Sequence, residues 1–306
     1  MSCFGYLFSR STSVNQHNYK SVRRIGEGGF SYVDLVTRHG EHYALKRILI
    51  QVPEQRTAVE NEIRAHRSIQ HRYVMRLVDA ELKEKGGGEA LAFLVFPYYE
   101  NGTLQDIIEH AQRTKIPLAE EKILQLFRSV CQGLGAMHNH PTDPVAHRDI
   151  KPANLMLTDG QDDLVITDLG STASTKCIIT NRQEALALQE HCAQTCTAHY
   201  RAPELFEVPS ECVITEKTDV WSLGCSLYAA AFGQSPCDGS ALAAMSGRVT
   251  FPRQHTYSKE FCDLVKAVLQ VDPAQRPSAT DVDNLIGTMI SQRGTTNTAE
   301  STPISR

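Results

Sequence analysis

A group of charged and amide side chains in the middle of the chain has the composition of a catalytic centre. It combines two carboxylates, two cations and one amide within a short stretch: Arg148, Asp149, Lys151, Asn154 and Asp168. Phosphoryl transfer requires a carboxylate that accepts the proton of the substrate hydroxyl, a cation beside the transferred group and oxygen ligands for magnesium. The order and spacing of these residue types favour that chemistry over a polar loop with two unrelated acids.

A glycine-rich run near the N-terminus is a second candidate site. Its members are Ile25, Gly26, Glu27, Gly28, Gly29, Phe30, Ser31 and Val33. The run lies between two strand-like segments, where glycines can bend a hairpin tip and let backbone N–H groups approach a phosphate. No GK[ST] sequence follows, which excludes a Walker loop, and no helix begins after it, which excludes a dinucleotide-binding fingerprint. Taken alone, such a run is more often a simple turn.

A lysine on the next strand-like segment is placed to complete a phosphate site. Lys46 ends the run 43–46, so its ammonium group can reach phosphates beneath the glycines. The following helical segment supplies Glu60 and Glu62, either of which can turn inward to hold the lysine. Taken alone, a strand lysine is more often a solvated surface residue.

The composition sets limits on the class of protein. The chain has 306 residues, of which 41% are hydrophobic, enough for one large domain or two lobes. Its 31 Lys and Arg against 35 Asp and Glu give a net charge of -4, which argues against nucleic acid as a partner. Its 9 cysteines form no CxxC pair, which argues against a disulfide framework or a zinc site and favours a reducing compartment. No apolar run reaches the roughly 20 residues of a transmembrane helix, so we expect a soluble protein.

The segments that position the candidate residues fall into two parts. Residues 19–96 predict a small antiparallel sheet built from two hairpins, residues 31–36 with 42–48 and residues 75–82 with 90–96. One helix is expected between the hairpins, over residues 54–69. From residue 103 the pattern becomes helical, over residues 104–114, 119–138, 220–232, 259–269 and 280–290. The expected fold class is therefore α+β, with a ligand cleft where a sheet lobe joins a helical lobe.

Both ends of the chain lack a periodic pattern. Their polar composition predicts a disordered N-terminal segment over residues 1–18 and a disordered tail over residues 291–306. The apolar run 4–8 interrupts the first segment, but it is too short to span a bilayer.

Together these motifs resemble those of the eukaryotic protein kinases from about residue 19 to residue 290. The resemblance implies the bilobal kinase fold, with an N-lobe of residues 19–96, a hinge of residues 97–102 and a C-lobe of residues 103–290. It also implies the transfer of the γ-phosphoryl group of ATP, with Mg²⁺, to hydroxyl groups of protein substrates. Lys151 after Asp149, together with Thr197 ahead of the run 202–204, matches the serine/threonine class.

The resemblance assigns a role to each catalytic candidate. Asp149 would orient the substrate hydroxyl and accept its proton, and Lys151 would stabilise the moving phosphoryl group. Asn154 and Asp168 would hold Mg²⁺. Leu169 replaces the phenylalanine that usually follows the metal-binding aspartate.

The resemblance also assigns the residues that bind ATP. Lys46 would bind the α- and β-phosphates beneath the glycine run. Glu62 rather than Glu60 would hold it, because the interval from Glu62 to His71 matches the family. The adenine pocket would be formed by apolar side chains and hinge backbone groups: Val33, Ala44, Phe96, Pro97, Tyr98, Tyr99 and Leu155.

A finer resemblance is to the numb-associated kinase group. It is based on the runs 26–36, 43–49 and 218–225. Residues 181–191 have the pattern of an amphipathic helix, which this group inserts in its activation segment, and a flexible loop is the alternative. A helix there would keep the segment partly ordered without phosphorylation. Further on, Arg276 lies where the family pairs an arginine with Glu204.

The N-terminus departs from the lipid-modified members of this group. Myristoylation requires glycine after the initiator methionine, and Ser2 occupies that position, so myristoylation is not expected. Cys3, next to the apolar run 4–8, remains a candidate for palmitoylation. We therefore expect a cytoplasmic, autophosphorylating kinase with peripheral membrane contact through a lipidated Cys3, the Golgi being the candidate membrane.

Two alternatives belong to other functional classes. A pseudokinase scaffold with weak or no phosphoryl transfer is disfavoured because Lys46, Asp149, Asn154 and Asp168 are all present. A kinase of lipids or small molecules is disfavoured by the complete activation segment. The sequence does not indicate the physiological substrate, the oligomeric state or which nearby hydroxyl is autophosphorylated, the candidates by position being Thr195, Thr197 and Tyr200.

Overall fold

The computed structural model describes residues 11–28 and 31–299, with side chains as far as Arg293. Within these residues the chain divides into two compact units. The first contains the chain up to Glu100 together with Asp168–Gly170, and the second contains the remainder. The division after Glu100 falls inside the predicted hinge, residues 97–102.

An antiparallel sheet of six strands forms most of the first unit, in the order β1-β2-β3-β4-β6-β5. The strands are β1 Ser11–Val14, β2 His17–Glu27, β3 Ser31–Arg38, β4 Glu41–Ile50, β5 Asp79–Gly86 and β6 Glu89–Pro97. Helix α1, Pro53–Ser68, follows β4. The two predicted hairpins and the helix between them are confirmed, although the second hairpin begins at Asp79 rather than at residue 75.

The core of this sheet fixes which side chains face the candidate site. A cluster of buried residues covers one face, and it includes Tyr19, Val36, Leu45, Phe93 and Val95. Successive side chains of a strand point to opposite faces. Because Leu45 enters the cluster, the side chains on either side of it in β4 point to the other face.

The prediction of a disordered segment through residue 18 is wrong for residues 11–18. These residues form β1 and the start of β2, with Val14 fully buried in the sheet core. Arg47 Nη2 donates to Thr12 Oγ1 at 2.8 Å, and Lys83 Nζ donates to the Ser13 carbonyl at 2.6 Å. The polar composition of this segment predicted disorder because it gives no indication of the strand. Contacts with residues distant in the sequence stabilise that strand. Residues 1–10, including Ser2 and Cys3, lie outside the described residues.

The second unit is mainly helical, as predicted. Its helices are α2 Leu104–Thr114, α3 Glu120–His138, α4 Arg182–Thr195, α5 Lys217–Phe232, α6 Ala241–Ser246, α7 Lys259–Val268 and α8 Ala279–Ala299. Because α8 continues to Ala299, the prediction of a tail from residue 291 is wrong for residues 291–299. Arg293 explains part of the extension, because its guanidinium binds Glu120 and Ser258. Residues 300–306 lie outside the described part of the chain.

Short strand pairs position the loops of the second unit. They are β7 Val145–Ala146 with β10 Ala173–Ser174, β8 Leu155–Leu157 with β9 Leu164–Ile166, and β11 Lys176–Ile179 with β12 Cys212–Thr215. The candidate loop, residues 147–154, is therefore held between β7 and β8. Across the residues described, no helix is both long and apolar enough to cross a membrane.

Candidate active site

An ion-pair cluster in the first unit contains the predicted phosphate lysine. Lys46 Nζ donates to Glu62 Oε1 at 2.8 Å and to Asp168 Oδ1 at 3.0 Å. Glu60 lies elsewhere on α1, where its carboxylate is 3.9 Å from Arg56. The predicted choice of Glu62 over Glu60 as the lysine's partner is therefore confirmed.

Burial and charge decide the protonation states of this cluster. Burial by itself lowers the pKa of Lys46, but the Glu62 and Asp168 carboxylates outweigh it, and the net effect raises the pKa. Two carboxylates therefore keep the ammonium group charged at any physiological pH. A charged lysine fixed in position is what the binding of phosphate oxygens requires.

Helix α1 is anchored one turn after Glu62. The His66 ring is fully buried, and its Nδ1 lies 2.8 Å from the Met75 carbonyl. The ring also packs on Phe96, with centroids 4.9 Å apart. Because residues four apart share one side of a helix, this anchor turns Glu62 toward Lys46.

The predicted nucleotide-binding side chains of the first unit share a face of the sheet. Val33 pairs with Lys46, and Ala44 pairs with Phe96. Directly paired residues project to the same side, so a ligand on that face would meet all four. Phe96 is buried and Pro97 ends β6, with Tyr98 and Tyr99 following.

The glycine run forms the connection between β2 and β3. Ile25, Gly26 and Glu27 end β2, and Gly26 pairs with Val33. The Gly28 N–H donates to the Ser31 carbonyl at 2.8 Å, which closes the turn. The hairpin expected here is confirmed in its described part, whereas Gly29 and Phe30 lie outside the described residues.

The second unit contains a tight network around Asp149. Lys151 Nζ donates to Asp149 Oδ2 at 2.7 Å and to Thr197 Oγ1 at 2.7 Å. The Thr197 N–H donates to Asp149 Oδ1 at 2.8 Å. Asn154 Nδ2 donates to the Asp149 carbonyl at 2.8 Å. These contacts hold a carboxylate, a cation and a hydroxyl within hydrogen-bond reach of each other. The sequence did not reveal that Thr197 would contact Asp149.

A buried aspartate braces the loop that carries Asp149. Asp219 accepts the N–H groups of His147 and Arg148, at 2.7 and 2.8 Å, and its Oδ2 lies 2.8 Å from His138 Nε2. Burial raises the pKa of Asp219, but the hydrogen bond and charge of His138 and the other contacts outweigh it, so the net pKa is lowered. Arg148 has a φ of 70°, a strained value for a residue with a side chain, so the brace maintains an unfavourable backbone.

His138 is a functional residue that sequence reasoning missed. It ends α3 and reaches Asp219 across 81 residues of sequence. A histidine at the end of a helix has no local signal of such a contact.

Leu155 is fully buried in β8, where it pairs with Ile166, so that strand fixes the end of the loop.

The end of the activation segment is held by a buried ion pair. Arg276 Nη1 and Nη2 donate to Glu204 Oε1 and Oε2, at 2.7 and 2.8 Å. The guanidinium also lies over the Trp221 ring, 5.1 Å from its centroid. The predicted pairing of Arg276 with Glu204 is confirmed.

Residues 182–195 form helix α4, so the predicted helix is also confirmed and the flexible-loop alternative is wrong.

Each unit supplies oxygen atoms of the kind that Mg²⁺ prefers. The Asn154 amide nitrogen is used by the Asp149 carbonyl, which leaves Oδ1 of the same amide as a ligand atom. The Asp168 side chain is 46% exposed and carries a carboxylate. Amide and carboxylate oxygens are hard ligands suited to Mg²⁺. Each of these two side chains is therefore chemically suited to Mg²⁺.

Comparison with known proteins agrees with this geometry. Residues 19–285 match the protein kinase domain family. Serine/threonine-protein kinase 16 of Rattus norvegicus is 42% identical over 279 residues, covering 88% of this chain and 90% of its own, and its Homo sapiens counterpart gives the same values. Serine/threonine-protein kinase ppk13 of Schizosaccharomyces pombe is 31% identical over 319 residues, covering 91% of this chain and 92% of its own. The chain therefore belongs to the protein kinase family and is a serine/threonine protein kinase.

Proposed function

We propose that this kinase transfers the γ-phosphoryl group of Mg-ATP to protein serine and threonine hydroxyls, autophosphorylates, and works at a membrane of the secretory pathway. We also propose that it belongs to the numb-associated group, with the myristoylated and palmitoylated serine/threonine kinase as its counterpart. The observation that carries the catalytic part is the network of Asp149, Lys151 and Thr197.

Asp149 is the proposed base for the substrate hydroxyl. Its two oxygens already accept from Lys151 and from the Thr197 N–H, which fixes the plane of the carboxylate. A positioned base of this kind needs no large rearrangement when the hydroxyl proton is transferred. Lys151 is the proposed cation beside the transferred phosphoryl group, since its ammonium already lies next to Asp149.

Lys46 is the proposed ligand of the α- and β-phosphates. Held by Glu62, its charge stays in one place while the nucleotide binds. Asn154 and Asp168 would hold Mg²⁺, which when bound neutralises phosphate charge. Val33, Ala44, Phe96 and Leu155 supply apolar surface suited to adenine, and the backbone after Pro97 supplies polar groups.

The catalytic proposal is tested by transfer of labelled phosphate from Mg-ATP to a generic protein substrate and to the kinase itself. Wild type should transfer phosphate, and Asp149→Asn should reduce the rate by about 100-fold or more, because the amide cannot accept the proton. Equal rates for wild type and Asp149→Asn, with nucleotide bound by both, would favour the alternative of a pseudokinase scaffold.

Helix α4 supports the assignment to the numb-associated group. Asn181 caps it, because its side chain accepts the Glu184 N–H at 2.9 Å, and Ala185 and Cys192 bury one side. A capped and partly buried helix keeps this part of the activation segment ordered by its own contacts. We therefore propose that activity does not depend on prior phosphorylation of the segment.

Membrane contact is proposed to occur through palmitate on Cys3. A single lipid gives only weak, reversible attachment, so the missing glycine at position 2 should leave the kinase partly in the soluble fraction. Cys3→Ser should remove thioester-linked lipid and the membrane fraction, while Ser2→Gly should add a second anchor and increase that fraction. Cys177→Ser serves as the control. An unchanged membrane fraction in Cys3→Ser would contradict the lipid proposal without affecting the catalytic one.

A further inference from the structure

Two cysteines lie together at the end of helix α4, beside the catalytic loop. Cys192 is in the last turn, and Cys196 is the residue directly after the helix. Both are buried, at 2% and 5% exposure, and each thiol acts on the pKa of the other. The Cys196 N–H donates to the Cys192 carbonyl at 3.0 Å, which holds the two residues one turn apart.

A buried cation of the catalytic loop, Arg148, acts electrostatically on Cys192. Arg148 is 5% exposed, and no atom of its guanidinium has a hydrogen-bond partner among the described residues. Leaving such a group unpaired is costly, so the site favours an anion. A Cys192 thiolate is a candidate for that anion, because the Arg148 charge acts on Cys192.

The surroundings make the two thiols unequal. The neighbouring Cys196 thiol, together with the charges of Arg148 and Arg201, outweighs the effect of burial and lowers the pKa of Cys192. The neighbouring Cys192 thiol and burial raise the pKa of Cys196, and the Asp149 charge acts in the same direction. An attacking thiolate next to a resolving thiol is the arrangement found in thiol-based redox sites.

We propose that Cys192 and Cys196 form a reversible disulfide when the kinase meets a peroxide, with Arg148 stabilising the attacking thiolate. In the first step the Cys192 thiolate attacks hydrogen peroxide: an S–O bond forms, the O–O bond breaks, and hydroxide leaves and takes a proton from Cys196. In the second step the Cys196 thiolate attacks the sulfenic sulfur: the S–S bond forms, the S–O bond breaks, and the hydroxyl group leaves as water with the proton that Cys192 released when its thiolate formed. Two thiols lose two electrons in total, and the peroxide becomes two waters.

Closing this disulfide must change the end of α4. Side chains four residues apart on a helix have Cβ atoms about 5–6 Å apart, whereas a disulfide needs about 3.5–4.5 Å. The last turn must therefore unwind, and Cys196 already has extended dihedral angles, φ -105° and ψ 131°. The next residue is Thr197, which contacts both Asp149 and Lys151. The disulfide should draw Thr197 away and lower phosphoryl transfer, a consequence that rests on the proposed role of Asp149.

The covalent step is tested on the full chain by mass spectrometry. The tryptic peptide 183–201 contains Cys192 and Cys196 and no other cysteine. After peroxide treatment and alkylation of the remaining thiols, this peptide should be unalkylated and two hydrogens lighter, and a dithiol should reverse the change. Arg148→Met should slow disulfide formation by about tenfold. Double alkylation at every peroxide dose, or formation at an unchanged rate in Arg148→Met, would overturn the proposal.

The activity measurement uses serine variants as matched controls. Peroxide should lower wild-type activity by about tenfold, with recovery in a dithiol. Cys192→Ser and Cys196→Ser should keep basal activity and resist peroxide, whereas Cys177→Ser should remain sensitive. If the Cys192→Ser variant lost activity in peroxide as wild type does, the proposed link between the disulfide and kinase activity would be overturned. An inactive reduced wild type would contradict the proposed function, and peptide masses would still decide the disulfide.

Discussion

At the scale of single residues, the contact between Lys46 and Glu62 gives the sharpest prediction. Glu62→Gln removes a buried carboxylate whose Oε1 lies 2.8 Å from the ammonium, so Lys46 loses its fixed position. We expect kcat/KM to fall by about 10- to 100-fold, since a small displacement of a binding group can cost that much. Glu60→Gln, on the same helix, is the matched control and should behave as wild type. Equal losses in the two variants would contradict this role.

These two glutamates of α1 also show how far the site could be predicted from the sequence. Glu60 and Glu62 differ in position on α1 by more than half a turn, and only the anchored rotation of the helix decides which one meets Lys46. The family interval to His71 identified Glu62 correctly. Nothing comparable identified His138, because its contact with Asp219 depends on how two distant helices pack. Residue types therefore predicted the reacting groups but not the groups that hold them.

At the scale of elements, β1 gives a prediction that separates a strand from a disordered segment. Val14 is fully buried in β1, so Val14→Ala should lower the free energy of unfolding by about 2 kcal/mol. Ser13→Ala alters an exposed position of the same strand and should have little effect. Urea unfolding of both variants measures the difference. A Val14→Ala variant as stable as wild type would mean that residues 11–14 do not pack on the sheet.

Elements with a strong internal pattern were predictable, and those that depend on distant partners were not. The amphipathic repeat of α2 predicted residues 104–114, which are its observed bounds. By contrast, β1 has four residues and only one apolar side chain. Its order comes from Arg47 and Lys83, which bind it from strands far along the sequence.

At the scale of the whole molecule, acid should weaken the folded state through His71. Burial, followed by the charge of Arg72, lowers the pKa of His71, and its Nδ1 accepts the Tyr73 N–H at 3.3 Å, which only an unprotonated Nδ1 can do. Because the folded pKa is below the unfolded value of about 6.5, this stabilisation is complete above that pH. It is lost as the pH falls through the lower folded value.

The measurement is the free energy of unfolding from urea titrations between about pH 7.5 and pH 5. We expect the wild-type curve to fall toward acid more steeply than the curve of His71→Asn, which keeps an acceptor but cannot titrate. His110→Asn, at an exposed position on α2, should follow wild type. Parallel curves for wild type and His71→Asn would contradict the prediction.

The buried ion pair of Glu204 and Arg276 also affects when the second unit can fold during synthesis on the ribosome. Its partners are 72 positions apart, and a ribosome releases about 5–20 residues per second, the N-terminus first. Glu204 therefore leaves the ribosome several seconds before the guanidinium that will neutralise it. Until then the nascent chain has an uncompensated carboxylate at the end of its activation segment. A translation product that stops before Arg276 keeps this defect permanently, so the second unit can reach its final form only after Arg276 has been synthesised.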